Sequence, residues 1–400
     1  MQKRVLLLFA AFVFVALGYA QSSRLATLLR KYPLREMAKQ TFAKAELSAA
    51  DCRTLTPLLI DIWKDEVYQR LGKDAEQQFI RHGQLKMDFA GDEFGEMPEN
   101  GYSLFISMHG GGNTTHEVND QQWQNQISLY TPEEGVYIAP RAPWDDWNMW
   151  FKPGLDEMFE DLIQWMVAEY DVNPNKVYLM GYSAGGDGVW RMAPRMADRW
   201  AAASMMAGHP GEAQQVNLLN VPFMIWMGEK DAAYNRNRLA TVKGTVMDSL
   251  EAGAPLSYIH ETHIVPGKGH WMDRADTLAV SWMANFEREP LPAHIVWRQE
   301  EVVRPSLYWL EVDPQTAQPG MRVDAILEEN EIQILRCDYS RLRIRLNDEM
   351  LDLDQPVKVT YNGKILFEGK LKRTLANMAQ TLVDRGDVHW MFSAYIDVTF

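Results

Sequence analysis

Between residues 85 and 288 the chain alternates short apolar runs with longer amphipathic stretches. Residues 85–89 alternate apolar and polar in strand fashion, and 103–108, 135–140, 177–180, 200–207, 221–227 and 256–265 are apolar runs of strand length. Residues 155–170 carry apolar side chains at three- and four-residue spacing, the mark of an amphipathic helix. Helical stretches are also predicted after Ser183 and from His270 to about Glu287. Strand alternating with helix implies an α/β class, a mainly parallel sheet covered by helices on both faces. Ligands of such sheets bind beyond the carboxyl ends of the strands.

The pattern differs on either side. From residue 22 to about 84 it is helical, with Leu28, Leu29, Leu58, Leu59, Ile62, Val67, Tyr68 and Leu71 at helical spacings, and Ser48-Ala49-Ala50-Asp51 resembles a helix start. This segment is either a lid or partner-binding arm, or a helical layer packed on the central region. From about 291 strands return, at 295–303, 307–312, 331–337, 342–346 and 357–367, with Asn362-Gly363 as a type I′ hairpin turn. They predict a small β-sandwich, either a surface- or carbohydrate-binding module or a brace. The expected domains are thus a leader at 1–20, a helical extension at 21–84, an α/β domain at 85–290 and an all-β domain at 291–400.

Composition changes this picture only at the start of the chain. Lys3 and Arg4, an apolar run to Leu17 and the small-x-small triplet Gly18-Tyr19-Ala20 predict a cleaved signal peptide, hence a secreted or periplasmic protein. The apolar run is shorter than the ~20 residues of a membrane span. Losing Lys3 and Arg4 takes the net charge from −14 to −16. That argues against nucleic acid or an anionic membrane as a partner. The two cysteines, Cys52 and Cys337, could pair after export but do not make a disulfide framework. The sequence leaves the oligomeric state open.

The candidate chemistry sits at strand ends. Residues 177–180 lead into Gly181-Tyr182-Ser183-Ala184-Gly185 and then a helix, the strand, G-x-S-x-G, helix context of a nucleophile elbow. Side chains at Gly181 or Gly185 would collide with backbone where the strand doubles back. The run 103–108 ends in His109-Gly110-Gly111-Gly112, whose backbone suits an oxyanion-binding loop, with His109 as a hydrogen-bonding residue beneath it. Asp231 follows the run 221–227, and His270 follows 256–265. The order Ser, Asp, His is that of α/β-hydrolase triads. Asp187 and Glu229 compete with Asp231 as the acid. His260 and His263 lie within a strand, on opposite faces, a poor arrangement for a metal. Trp144, Trp147 and Trp150 lie in one loop and either line an acyl or sugar subsite or plug it against a helix, while His209 is a candidate substrate contact.

Through SMHGGG, YIAPRAP, LMGYSAGG, MIWMGEKD and GKGHWMD, residues 85–288 resemble the α/β-hydrolase superfamily. More narrowly they resemble secreted esterases related to poly(3-hydroxybutyrate) depolymerases, feruloyl esterases and the phospholipase/carboxylesterase group. The resemblance implies Ser183 as nucleophile, Asp231 as acid and His270 as base. It assigns the oxyanion to the backbone of Ala184 and of Gly111 or Gly112. It implies a small-molecule or polysaccharide-linked ester as substrate and no metal or organic cofactor. Serine peptidases of the prolyl-oligopeptidase type share this fold and order. A binding protein built on the fold would typically lose a triad member, and all three stand here.

Overall fold

The apolar runs assemble into one eight-stranded sheet in a computed structural model that describes residues 27–400. The expected leader, residues 1–20, lies outside the described residues. The strands are β1 (Phe79–His82), β2 (Leu85–Phe94), β3 (Tyr102–Met108), β4 (Gly135–Pro140), β5 (Val172–Tyr182), β6 (Ala202–Met206), β7 (Phe223–Gly228) and β8 (His260–Val265). Their spatial order is β1-β2-β4-β3-β5-β6-β7-β8. The pairs β1-β2 and β2-β4 are antiparallel and every later pair is parallel. Strands β4, β6 and β7 are buried along their whole length, which explains why they read as continuous apolar runs rather than alternating ones.

The connections are helical. They are α2 (His116–Ile127) before β4, α3 (Leu155–Glu169) before β5, α4 (Ala184–Arg195) after it, α5 (Arg236–Gly253) before β8 and the short α6 (Leu278–Met283) after it; α1 (Ala49–Ala75) precedes the sheet. This is the α/β class read from the sequence. Two runs end differently. The strand expected from residue 256 begins only at His260, because Leu256 (φ 71°) and Tyr258 (φ 55°) take left-handed backbone. After His270 one long helix is replaced by a 3₁₀ turn, Ala275–Thr277, and α6.

The tail departs from an all-β domain. Strands β9 (His294–Arg298), β10 (Arg322–Glu328), β11 (Glu331–Cys337), β13 (Val357–Tyr361) and β14 (Lys364–Gly369) form one sheet. Strands β12 (Arg341–Leu346) and β15 (Ala394–Thr399) form another, with the two-residue strands Ser306–Leu307 and Leu310–Glu311. Asn362 and Gly363 both have positive φ, as a type I′ hairpin requires. Residues 372–394, however, form part of a separate compact unit with residues 27–66, while 67–371 and 395–400 form the other. The reason lies in α7 (Leu375–Arg385), capped by Thr374 Oγ1, which accepts from Asn377 N at 3.2 Å. Its Leu375, Met378 and Leu382 are buried, and it packs against the one-turn helix Leu34–Met37, while Arg373–Thr374 pairs with Glu46–Leu47.

In the same unit α1 starts with the expected box. Ser48 N donates to Asp51 Oδ2 at 2.9 Å, and Asp51 N to Ser48 Oγ at 3.1 Å. Cys52 and Cys337 are not joined in a disulfide. Among the described residues no helix is long and apolar enough to cross a membrane.

In the larger unit a buried ionic network joins α3 and α4 to the tail. Arg195 Nη2 donates to Asp156 Oδ1 at 2.5 Å, Arg304 Nη1 lies 3.4 Å from Asp156 Oδ2, and Glu160 accepts from both Arg304 (2.7 Å) and Arg199 (2.6 Å). Removing one partner would strand a buried charge. Asp156→Ala is therefore expected to cost about 3–5 kcal/mol in urea unfolding, and an Asp156→Leu/Arg195→Met pair to recover most of it.

Candidate active site

The turn after β5 is set by backbone crowding. A Cβ on Gly185 would overlap the carbonyl oxygen of Met108, and one on Gly181 would lie 2.5 Å from that of Gly185, so only glycine fits either position. Between them Ser183 takes φ 58°, ψ −119°, a backbone that side chains rarely adopt. It is clamped on both sides. Ser183 N donates to Met206 O, and Ser183 O accepts from Asp187 N, each at 2.9 Å.

Two loops meet this serine. Asp231, just past β7, is buried, and its Oδ2 lies 2.7 Å from His270 Nδ1. His270 Nε2 lies 2.8 Å from Ser183 Oγ. Because a carboxylate only accepts, Nδ1 carries the proton and Nε2 is left to accept from the serine hydroxyl. The three residues stand in the relation of a Ser-His-Asp triad. With the strand order of the sheet, this decides the fold. It is that of the α/β hydrolases.

Solved structures align with about half of the chain. A thermostable esterase aligns at 16% identity over 53% of this chain and 64% of its own, with a TM-score of 0.39. A ferulic acid esterase aligns at 16% identity over 52% and 95%, TM-score 0.36, and an acetyl xylan esterase from Aspergillus awamori at 12% over 52% and 98%, TM-score 0.37. No protein-family model matches the chain, and no curated protein sequence matches it. The chemistry therefore has to be read from the chain's own geometry.

The neighbouring groups hold the two loops in place. Tyr182 Oη donates to His270 O at 2.7 Å and accepts from Met272 N at 3.2 Å. Glu229, the rival acid, instead accepts from Gly267 N at 2.7 Å and so pins the loop that carries His270. Asp187, the other rival, accepts from His209 N at 2.6 Å, and burial pushes its carboxyl up to about 6. His260 sits beside Asp248 and Glu251, and His263 stacks on Trp226 at 4.2 Å; neither lines the cleft around Ser183.

The glycine loop needs one correction. Gly112 N donates to Asn119 Oδ1 at 2.8 Å, so it is already committed and is not an oxyanion donor in this arrangement. Gly111 (φ 100°) and Ala184 line the cleft beside Ser183, and their N–H groups have no acceptor among the described residues. Asn119, absent from the sequence reading, is fully buried on α2 and also donates to Thr115 O at 3.2 Å. Its only sequence signal is a polar side chain on a helix that follows a glycine loop. His109 lies beneath the loop as expected, with Nδ1 2.6 Å from Gly110 O and Nε2 accepting from Ala142 N at 3.1 Å. Burial drives its pKa down to about 3.

Ser183 opens onto two lobes. One, of about 500 Å³, includes Trp147, Asp187, Arg191, His209, Tyr234 and Arg236; the other, of about 540 Å³, includes Gln122, Asn125, Leu129, His270 and Trp271. Trp147 and His209 thus line the cleft. Trp144 does not; its ring sits under Lys152 Nζ at 5.1 Å. Trp150 is the plug, fully buried, with Nε1 donating to His109 O at 2.9 Å. Tyr234, Arg191 and Arg236 had no sequence signal, being isolated in their stretches.

His109 supplies a pH test. Its folded pKa lies below the ordinary 6.5, so the stability tied to its neutral form is complete above pH 6.5 and is lost as pH falls toward 3. Between pH 7 and 5 the wild type is expected to lose about 2 kcal/mol more than His109→Gln in urea unfolding.

Proposed function

We propose that this protein is a serine hydrolase that cleaves carboxylic esters through an acyl-enzyme. The observation that carries the reading is the imidazole of His270 standing between Asp231 Oδ2 at 2.7 Å and Ser183 Oγ at 2.8 Å. His270 Nε2 takes the hydroxyl proton as Ser183 Oγ attacks the ester carbonyl, and Asp231 stabilises the imidazolium that forms. The tetrahedral oxyanion is received by the N–H groups of Ala184 and Gly111. Collapse expels the alcohol, which takes the proton from His270. Water then repeats the sequence on the acyl-serine and regenerates the hydroxyl.

The steps use Ser183, His270, Asp231 and the N–H groups of Ala184 and Gly111. Of the three loop tryptophans, which suit an acyl or a sugar subsite alike, Trp147 lines the cleft and Trp144 and Trp150 do not, so the reading is held at carboxylic esters. The basic and apolar segment at residues 1–20 supports action outside the cytoplasm.

Ser183→Ala is expected to lower kcat on p-nitrophenyl acetate and butyrate by ~10³ to 10⁶ with an unchanged unfolding midpoint. A fluorophosphonate should label the wild type and not the variant. Full turnover by the variant would exclude the mechanism. Faster cleavage of dipeptidyl amides than of esters would move the reading to a peptidase.

A further inference from the structure

The serine-esterase reading divides the cleft by chemistry. The departing alcohol oxygen must take its proton from His270 Nε2, so the alcohol leaves on the side that His270 lines. That is the lobe of Gln122, Asn125, Leu129 and Trp271. The lobe on the other side of Ser183, of about 500 Å³, is left for the acyl group.

Its lining is unlike that of a slot for a hydrocarbon chain. Arg191 reaches it from α4 and Arg236 from the first residue of α5, and Asp187 is the single carboxylate among its lining residues. Both arginines are largely withdrawn from water, with side chains 13% and 15% exposed. Among the described residues each makes one ion-pair contact, and a long one. Arg191 Nη1 lies 3.3 Å from Glu301 Oε2, and Arg236 Nη1 lies 3.3 Å from Asp231 Oδ1. Arg236 Nε is buried with no hydrogen-bond partner. Ring faces complete the support: Arg191 lies over Phe151 at 5.2 Å and Arg236 over Tyr234 at 5.1 Å.

A guanidinium offers five N–H donors in a planar fork. Two of them, desolvated and short of acceptors, carry a cost that an anionic ligand would offset. Asp187 does not do so fully, since its Oδ1 is engaged by the His209 N–H at 2.6 Å. Among the residues lining the lobe two arginines stand against the single carboxylate of Asp187, with Glu301 and Asp231 each reaching one arginine at 3.3 Å. A planar, two-oxygen anion matches the fork.

We propose that Arg191 and Arg236 bind a carboxylate on the acyl part of the substrate, so that the preferred substrates are half-esters of dicarboxylic acids. The second carboxylate sits in the arginine lobe while the esterified one meets Ser183. Trp147, 62% exposed, and Tyr234, 76% exposed, flank the entrance and cover the carbons between.

The test measures kcat/KM of the full chain on the monoethyl esters of succinic, glutaric and adipic acids, against neutral ethyl esters of matched length. The best half-ester is expected to exceed its neutral partner about ten- to a hundredfold. Arg191→Gln should bring that ratio toward one, with Arg191→Lys in between. Arg191 is chosen because Arg236 also touches Asp231. Free glutarate should inhibit the wild type competitively and Arg191→Gln more weakly. A wild type that hydrolyses neutral esters as well as half-esters overturns this inference and leaves the esterase reading standing. So does a half-ester preference that survives Arg191→Gln. A wild type that cleaves no ester and is not labelled by a fluorophosphonate takes both down.

Discussion

A serine held at φ 58° is the constraint on which the site depends. Such backbone costs of order 1–3 kcal/mol and persists only where the surroundings enforce it. Here they do so by exclusion, since Gly185 packs against Met108 O and Gly181 against Gly185 O, with no space for a side chain at either. The bonds to Met206 O and from Asp187 N then hold the turn between β5 and α4. The hydroxyl is thus placed by the sheet, and the loops carrying Asp231 and His270 have only to meet it. Those loops are themselves tied down, one to the other by Glu229 and Gly267, and to β5 by Tyr182. For the proposed acyl transfer these groups are ordered by folding rather than on substrate binding.

Burial sorts the titratable groups around this turn into different tasks. His109 is neutral because it is fully enclosed, and it serves as a hydrogen-bonding strut under the glycine loop. His270 keeps its ring half-exposed, with a buried carboxylate on one nitrogen and the serine on the other. Two imidazoles of the same intrinsic chemistry are thereby separated into an enclosed one and one open to the cleft. The arginines extend the same logic, since their charge is withdrawn from solvent on the side of Ser183 away from His270. A lobe of that kind discriminates by charge, whereas the neutral amides of Gln122 and Asn125 opposite it do not.

The sheet and the three residues at its edge could be read from the chain because both follow from short-range rules. A buried parallel strand is a run of apolar residues, and a strand-to-helix turn with no room for Cβ atoms is written in glycines. What escaped the reading depends on pairing at long range. That Gly112 is engaged rests on Asn119 from another element, and Trp144 lies outside the cleft with its ring under Lys152. Arg191 and Arg236 lie 45 positions apart on different helices, and nothing local marks either as facing Ser183. The end of the chain misled for a related reason. Residues 372–394 follow strand-forming stretches, but Leu375, Met378, Ala379 and Leu382 fall at helical spacing and α7 buries that stripe against the helix Leu34–Met37.

The β-rich tail has a part in the site that its sequence does not suggest. Glu301 is the only ion-pair partner of Arg191 among the described residues, and it also lies 3.4 Å from Arg195 Nη1, one turn further along α4. Arg304, three residues on, reaches Asp156 and Glu160 on α3. The segment just after β9 therefore grips α4 at two successive turns and α3 at two more. Helix α4 begins at Ala184, the residue after Ser183, so whatever fixes its axis also fixes the Ala184 N–H and the reach of Arg191. The tail thus holds α4, the helix that follows Ser183 and carries Arg191.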